Sequence, residues 1–350
     1  MRDVLSEYHR LTASGARVGR AVVTSVWGSA PRPEGACLLA TADGQLTGSV
    51  SGGCVEAATA QEVALAIESG VPRLVTYGVT DENAWAVGLA CGGTIKVFVE
   101  PTVRPEIVAA ASGPGGVVIA TVIEGNGVVG SWAEIRDDGS AKGDLATHAP
   151  EIASAALEAL RREASRTIEL PGTAERPPAT VFLEVFPRQP RLVIIGAVHI
   201  AAALVPLARQ LGWYTIVADG REAFLVRDRF PAADRLLLAW PEEAFEQVGL
   251  DPGTFVCVLS HDPKFDDPAC IAALKSPARY VGAIGSRKTQ RDRRERLKAA
   301  GITDEQLTRL HGPVGFDLGG RRPAEIALGI LAEMTAVRYG RSAADAWRAK

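Results

Sequence analysis

Apolar positions in the first hundred residues follow two spacings, one typical of helices and one typical of strands. Val4, Leu5, Tyr8 and Leu11 recur at helical spacing, which predicts a helix over residues 3–14. Further elements are predicted at residues 20–27, 36–41, 73–78 and 94–100 for strands, and at residues 55–69 for a second helix. The first half of the chain is therefore predicted to form a mixed α/β domain.

The pattern of this first half recurs with an offset that drifts from about 96 to about 86 residues, which predicts an internal repeat. The matched features are residues 22–26 with 118–122, Asp43-Gly44 with Asp138-Gly139, and Gly48 with Gly143. Residues 144–148 of the second copy stand where the first copy has the glycine-rich loop Ser51-Gly52-Gly53-Cys54. If both copies share one fold, that fold does not require the loop, so we expect the loop to serve a function.

From Arg191 onward, short apolar runs alternate with helical stretches. The predicted strands are residues 191–195, 214–218, 235–238, 254–260 and 280–284. This alternation is typical of βαβ units and predicts a Rossmann-like, doubly wound parallel sheet. A proline-containing linker at residues 188–190 separates the two patterns, so we assign residues 1–187 to an N-terminal domain and residues 188–350 to a C-terminal domain.

Composition narrows the class of protein. Apolar residues make up 47% of the chain and charged residues 23%, which is typical of a globular protein. The net charge of −3, from 38 basic and 41 acidic residues, gives no reason to expect binding to nucleic acid. We expect no membrane span and no signal peptide, because the apolar runs are short and the first ten residues are largely polar. Five cysteines without a CxxC pair argue against a disulfide framework and a structural zinc site, so we expect a cytoplasmic protein.

The start of the C-terminal pattern resembles a dinucleotide-binding fingerprint. Gly196 follows the first predicted strand, and Asp219 comes 23 residues later, where an acidic residue can bind a ribose hydroxyl. Val198 occupies the position of the second glycine, and its side chain should hinder close approach of a pyrophosphate. A Rossmann sheet that serves as a scaffold, or that takes another ligand, is therefore favoured over ordinary NAD(P) binding.

Polar residues gather where the predicted strands end, which is the edge at which such sheets bind ligands. They are His199 after the first strand, Asp219 and Arg221 after the second, His261 and Asp262 after the fourth, and Ser286 and Arg287 after the fifth. Helix caps and turn residues are the alternative interpretation. The basic run at residues 287–298 is more typical of a solvated helix face, and His311 and Asp317 are either ligands or satisfied loop residues.

Three loops in the N-terminal half carry candidate chemistry. The loop at residues 51–54 runs into the helix predicted from Val55, and a helix N-terminus preceded by glycines can hold a phosphate or another anion. Cys54 and Glu56 lie at this helix start; the other loops contain Cys91, Gly92 and Gly93, and residues 28–32 with Arg32. Buried, inert cysteines are the alternative interpretation. Together the loops favour an anionic ligand with affinity for thiols.

These residues resemble the sequence signature of the XdhC/CoxI family. The resemblance lies in Gly28-Ser-Ala-Pro-Arg32, residues 48–56 and residues 90–93, and then in residues 219–221, 260–262, 284–287 and 311–326. It spans nearly the whole chain. It implies an N-terminal domain joined to a Rossmann domain, in a protein that forms a homodimer.

The resemblance also implies an accessory role rather than catalysis. Proteins of this family bind the molybdenum cofactor, as molybdopterin or its dinucleotide form, support replacement of an oxo ligand by sulfur, and insert the cofactor into a molybdenum hydroxylase such as xanthine dehydrogenase. The implied partners are the hydroxylase apoenzyme and a cysteine desulfurase-type sulfur donor. Carried over by position, the implied cofactor-binding residues are Gly52, Gly53, Cys54, Glu56, Cys91, Gly92 and Gly93, with Cys54 and Cys91 as candidates for contacting molybdenum.

Two other functions remain as alternatives. An NAD(P)-dependent oxidoreductase would use the Rossmann domain, with Asp219 selecting NAD, but Val198 argues against it. A catalytic component of a molybdenum hydroxylase is disfavoured because the sequence lacks cysteine sets for iron–sulfur clusters.

Overall fold

The chain divides into two compact units, Met1–Arg188 and Gln189–Lys350. The computed structural model describes residues 1–29, 31–78, 92–125, 129–145, 150–172 and 177–341. The helices of the first unit are α1 (Leu5–Ala13), α2 (Glu56–Ser69), α3 (Pro105–Ser112) and α4 (Pro150–Arg162). Its strands are β1 (Val18–Trp27), β2 (Cys37–Thr41), β3 (Leu46–Gly48), β4 (Arg73–Tyr77), β5 (Thr94–Glu100), β6 (Val117–Gly125), β7 (Trp132–Arg136), β8 (Ala141–Lys142), β9 (Arg166–Leu170) and β10 (Ala179–Phe186).

These strands form two antiparallel sheets with the same topology, which confirms the predicted repeat. The first sheet has the order β3-β2-β1-β5-β4 and the second has the order β8-β7-β6-β10-β9. The β2–β3 and β7–β8 hairpins turn at Gly44 and Gly139, whose φ angles of +87° and +83° lie in the left-handed region that glycine adopts without strain. The matched Asp-Gly pairs of the sequence therefore mark the same turn in each copy.

The two sheets of the first unit pack against each other through one apolar layer. Val22 of β1 and Phe98 of β5 belong to the same buried cluster as Ile119 of β6 and Phe182 of β10. Side chains alternate between the two faces of a strand, so each sheet also has an outer face that points away from the other sheet. The outer face of the first sheet packs against α2, and that of the second sheet packs against α4.

A buried ion cluster interrupts this apolar layer. Arg20 of β1 is fully buried, and it donates to Glu100 Oε2 at 3.0 Å and to Glu184 Oε2 at 2.5 Å. Burial works against the charge of Arg20, but the carboxylates of Glu184 and Glu100 outweigh it and raise the pKa of Arg20. Glu100 belongs to the first sheet and Glu184 to the second, so one guanidinium joins the two repeats.

The second unit is built on six strands, β11 (Arg191–Ile195), β12 (Tyr214–Asp219), β13 (Arg235–Leu238), β14 (Thr254–Val258), β15 (Tyr280–Ala283) and β16 (Leu310–His311), in the part of the chain that the structure describes. Its helices are α5 (His199–Gln210), α6 (Pro241–Val248), α7 (Pro263–Lys275), α8 (Arg287–Ala299), α9 (Asp304–Leu307) and α10 (Pro323–Arg338). The strands are all parallel in the order β13-β12-β11-β14-β15-β16, which is the Rossmann order and confirms the predicted sheet.

Helices cover both faces of this sheet. Val193 and Ile195 of β11 share a core cluster with α6, α7 and α8, whereas Leu192 and Ile194 share a second cluster with α5 and α10. Because both faces are buried, the strands appear in the sequence as continuous apolar runs rather than alternating ones. The short β16 was not predicted, since two residues carry no periodic pattern. Within the described ranges, no helix combines the length and the apolar character needed to cross a membrane.

We predict that Arg20→Met lowers the free energy of unfolding by about 3–5 kcal/mol, because the substitution removes the buried cation of Glu184. Urea denaturation at pH 7, followed by circular dichroism, measures the change. Arg17→Met is the control, since Arg17 is exposed one residue before β1, and it should change stability by no more than about 0.5 kcal/mol. Equal losses in the two variants would show that the cluster does not stabilise the unit.

Candidate functional site

The structure brings the predicted N-terminal loops together beyond the end of β1. A Cβ built on Gly93 would lie 2.4 Å from the carbonyl oxygen of Ser29, and one built on Gly52 would lie 3.4 Å from Pro31 Cγ. Gly93 therefore packs on the backbone of Ser29, and Gly52 lies against the ring of Pro31, so both glycines adjoin the segment that follows β1. Gly93 has no room for a side chain, which explains a glycine there. Cys91 lies outside the described residues.

The carboxylate of Glu56 occupies the glycine-rich loop. It accepts hydrogen bonds from four successive backbone N–H groups and two hydroxyls at distances of 2.6–3.2 Å. The donors to Oε1 are the N–H groups of Val50, Ser51 and Gly52 and the hydroxyl of Ser49, and the donors to Oε2 are the hydroxyl of Ser51 and the N–H of Gly53. The loop is thus wrapped around an anion that the helix itself provides.

This arrangement corrects the prediction that the loop is an open cradle for an external anion. The amides of Cys54 and Val55 are also satisfied, since both donate to Ser51 Oγ at 3.0 Å. An external phosphate at residues 50–53 would have to displace Glu56. The sequence identified the right kind of site, a nest of backbone donors at a helix start, but it did not show that Glu56 folds back into it.

The donors around Glu56 hold it in the charged form. Burial works to raise the pKa of its carboxyl, but hydrogen bonds from the hydroxyls of Ser51 and Ser49 and from backbone amides outweigh burial and lower the pKa to about 2. Since the ordinary value is 4.5, the interaction stabilises the fold fully above about pH 4.5. That stabilisation is lost as the pH falls towards 2.

Cys54 is presented to solvent by this loop. Of the four cysteines within the described residues, Cys54 is exposed, and Cys37, Cys257 and Cys270 are buried. Burial raises the pKa of Cys270 to about 12, so that thiol is inert at neutral pH.

Arg32, which the sequence predicts to be a fixed cation, is partly exposed. It lies 3.9 Å from Asp3 Oδ2, a distance at which an exposed ion pair contributes little to stability.

In the second unit, the predicted strand-end residues converge at the carboxyl edge of the sheet. A Cβ on Gly196, after β11, would lie 2.9 Å from the backbone nitrogen of Ser260, after β14. Asp219, at the end of β12, accepts the N–H of Ala197 at 2.8 Å. His199, His261 and Arg287 are exposed at this edge, and His261 has a left-handed backbone with φ of +63°. The edge is therefore a polar surface to which neighbouring strands contribute.

The carboxylate of Asp219 is engaged by neighbouring groups of the protein. Its Oδ1 accepts from the N–H and Nε of Arg221, both at 2.9 Å, and its Oδ2 accepts from Arg221 Nη2 and Ala197 N–H, both at 2.8 Å. Burial works to raise the pKa of Asp219, but the hydrogen bonds from Arg221 and Ala197 lower it. Both oxygens accept bonds from within the protein, so a ribose hydroxyl bound by this carboxylate would have to compete with those donors. Val198 is the N-cap residue of α5, at the position where the dinucleotide fingerprint has its second glycine.

Two other strand-end residues are helix caps, the alternative that the sequence left open. Asp262 accepts the N–H of Lys264 at the start of α7, and Ser286 accepts the N–H of Thr289 at the start of α8. His311 and Asp317 are likewise satisfied within the unit: Nδ1 of His311 lies 3.2 Å from Glu333 Oε1, and Asp317 accepts the N–H of Gly319.

Sequence reasoning missed a buried network below this edge. Arg293, part of the basic run predicted to be a solvated face, is buried and donates to Asp266 Oδ2 at 2.8 Å and to the carbonyl of Ile284 at 3.0 Å. Asp266 also accepts the hydroxyl of Ser260 at 2.5 Å. The network ties the loop after β14 to the loop after β15. In a run of seven basic residues, no feature of the sequence marks the one that turns inward.

Within the described ranges, no three His, Cys, Asp or Glu side chains come close enough together to hold a metal ion by themselves. An exposed thiol such as Cys54 can still contribute one soft ligand to a metal that arrives already chelated.

We predict that Glu56→Gln lowers the free energy of unfolding at pH 7 by about 1–2 kcal/mol, allowing for solvent screening of a partly exposed carboxylate. The glutamine amide would direct N–H donors at the loop amides, which are donors themselves. Glu68→Gln, at an exposed position of the same helix, is the control and should have no effect. The difference between wild type and Glu56→Gln should shrink as the pH is lowered from 4.5 towards 2. A difference that is constant with pH would contradict this account.

Comparisons with known proteins agree with the sequence resemblance. The model of the XdhC and CoxI family matches residues 11–78, and the XdhC Rossmann domain matches residues 192–334. A Bacillus subtilis (strain 168) protein, named as a probable component of xanthine dehydrogenase, is 26% identical over 334 residues, which are 91% of this chain and 92% of that protein. The molybdenum cofactor insertion chaperone PaoD of Escherichia coli (strain K12) is 28% identical over 326 residues, 93% of this chain and 85% of that protein.

A solved structure extends the agreement to three dimensions. A crystal structure described as a xanthine dehydrogenase from Bacillus halodurans superposes with a TM-score of 0.73 at 26% identity, and covers 97% of each chain. The two matched family segments make up more than half of the sequence, one in each unit. The chain belongs to the XdhC/CoxI family.

Proposed function

We propose that this chain is an accessory protein that binds the molybdenum cofactor, supports its sulfuration and delivers it to a molybdenum hydroxylase of the xanthine dehydrogenase type. The names of its relatives support the proposal, since one is named for xanthine dehydrogenase and another as a molybdenum cofactor insertion chaperone. In this role the chain acts as a cytoplasmic chaperone and not as a catalyst.

The observation that carries the proposal is the presentation of Cys54. Cys54 is exposed in a loop whose backbone is held by Glu56 and lies against Pro31. The cofactor supplies a molybdenum centre that sulfur ligands bind well. A thiol held on a rigid loop can engage that centre with little loss of conformational entropy. Cys91 and Gly92–Gly93, the second predicted thiol loop, would complete the binding surface.

Glu56 acts in this proposal as a positioning residue. Its carboxylate keeps residues 50–53 in one conformation and turns their amides inward. The cofactor phosphate then needs other donors, and the partly exposed Arg32 of the same unit is a candidate. The apoenzyme, a cysteine desulfurase-type sulfur donor and a second copy of the chain are the proposed partners.

The oxidoreductase alternative has less support. The carboxylate of Asp219 is engaged by Arg221 and Ala197, and Val198 stands at the position where a dinucleotide fold needs a glycine. A dinucleotide bound in the ordinary way would have to break the Asp219–Arg221 pair.

The test is anaerobic incubation of the purified chain with molybdenum cofactor, followed by gel filtration. We expect pterin, read by fluorescence after oxidation, and molybdenum, read by mass spectrometry, in stoichiometric amounts in the protein peak. Cys54→Ala should retain several-fold less molybdenum, because it removes the exposed soft ligand. Activation of an apo xanthine dehydrogenase by the loaded chain then measures delivery.

Cys270→Ala is the matched control, since it also removes one thiol but a buried one. It should bind the cofactor as wild type does. Absence of pterin and molybdenum from the wild-type peak would count against cofactor binding. Equal binding by Cys54→Ala and Cys270→Ala would count against Cys54 as the contact.

A further inference from the structure

An exposed aromatic stack lies at the carboxyl edge of the parallel sheet, among residues that the proposed function does not use. Trp240 follows β13 and caps α6, and Phe265 lies in the first turn of α7. Their ring centroids are 4.2 Å apart, with planes inclined by 6°. Phe265 is buried, whereas Trp240 remains 54% exposed. One face of the indole is therefore covered by protein, and most of the rest is open to solvent.

The backbone after β12 fixes the position of this stack. A Cβ built on Gly220 would lie 3.3 Å from Phe265 Cε1 and 3.5 Å from Trp240 Cε2, so the chain passes close beside both rings. The stack is thus packed on three elements, β12, α6 and α7. A large aromatic side chain held rigidly in solvent is the arrangement that planar ligands stack on with little entropy loss.

A cation of fixed orientation stands beside the stack. The guanidinium of Arg221 lies 5.7 Å from the ring centroid of Phe265 and 4.3 Å from that of Phe224. Its Nε and Nη2 are held by Asp219, while its Nη1 has no hydrogen-bond partner among the described residues. The side chain is 39% exposed. Arginine in this state can donate to a phosphate or a carboxylate without first being ordered.

We propose that Trp240, supported by Phe265 and accompanied by Arg221, forms a binding site for a planar heteroaromatic ring that carries an anionic substituent. The ring stacks on the open face of the indole, and Arg221 Nη1 faces the anionic group. The carboxyl edge of a parallel sheet is where such folds bind ligands. Nucleotides and anionic pterins share this chemistry. The proposal needs neither metal nor the N-terminal loops, so it stands independently of the molybdenum cofactor proposal.

The test is calorimetric titration of the full chain with AMP, with adenosine and with pterin-6-carboxylate, as separate arms. We expect AMP or pterin-6-carboxylate to bind, and the arm that binds more tightly identifies the ring. AMP should bind more tightly than adenosine if the ring is a nucleobase, because of Arg221. Trp240→Leu should weaken binding at least about 5-fold, the lower end of what stacking on an aromatic side chain contributes. Trp240→Phe should retain most of the affinity.

Tyr339→Leu is the matched control, since Tyr339 is an equally exposed aromatic residue, at 54%, in the same unit. It should bind as wild type does. Ligand should also quench part of the tryptophan emission in wild type, and that part should be missing in Trp240→Phe. No binding in any arm at millimolar ligand, or equal losses in Trp240→Leu and Tyr339→Leu, would overturn the proposal. Equal affinity for AMP and adenosine, with no binding of pterin-6-carboxylate, would overturn the role of Arg221.

Discussion

The buried guanidinium of Arg20 ties the two halves of the first unit together. Arg20 stands in an apolar layer between two sheets of the same topology, and it is paired with one carboxylate from each. Arg104 reinforces the cluster, since it donates to Glu100 at 2.9 Å and to Thr121 of the second sheet at 2.7 Å. Apolar side chains alone would let two similar sheets slide past each other, whereas charges that must remain paired permit few arrangements. The loops beyond the end of β1 therefore begin from a scaffold whose sheets are held in place.

The same principle, an internal charge that satisfies an internal site, shapes both candidate ligand regions. Glu56 fills the nest of amides before α2, and Arg221 pairs with the carboxylate at the end of β12. In each case the residue that would be expected to meet a ligand instead organises the backbone around it. The groups that remain available to a ligand are the Cys54 thiol in one unit and the Trp240 ring with Arg221 Nη1 in the other.

The two regions also differ in the chemistry that they can offer. The N-terminal loops present sulfur on a backbone that close packing has fixed, which suits a soft metal. The carboxyl edge of the parallel sheet presents a flat aromatic surface and a cation, which suit a ring with a negative substituent. Beneath that edge, Arg293 and Asp266 form a buried pair that fixes the loops after β14 and β15. Each surface is supported by polar contacts that the chain makes with itself.

The sequence by itself determined the class of each domain and the places where chemistry gathers. Periodicity and turn residues act locally, so they predicted the repeat, the parallel sheet, the glycine loops and the strand-end polar residues. Which polar atoms remain available to a ligand was decided only by the tertiary structure. Glu56 comes three residues after a glycine pair and Asp219 directly precedes a glycine, and nothing in their sequence context shows that their oxygens are already bonded within the protein. Arg293 and Trp240 show the same limit: burial and stacking depend on residues far away in the chain, which no local pattern records.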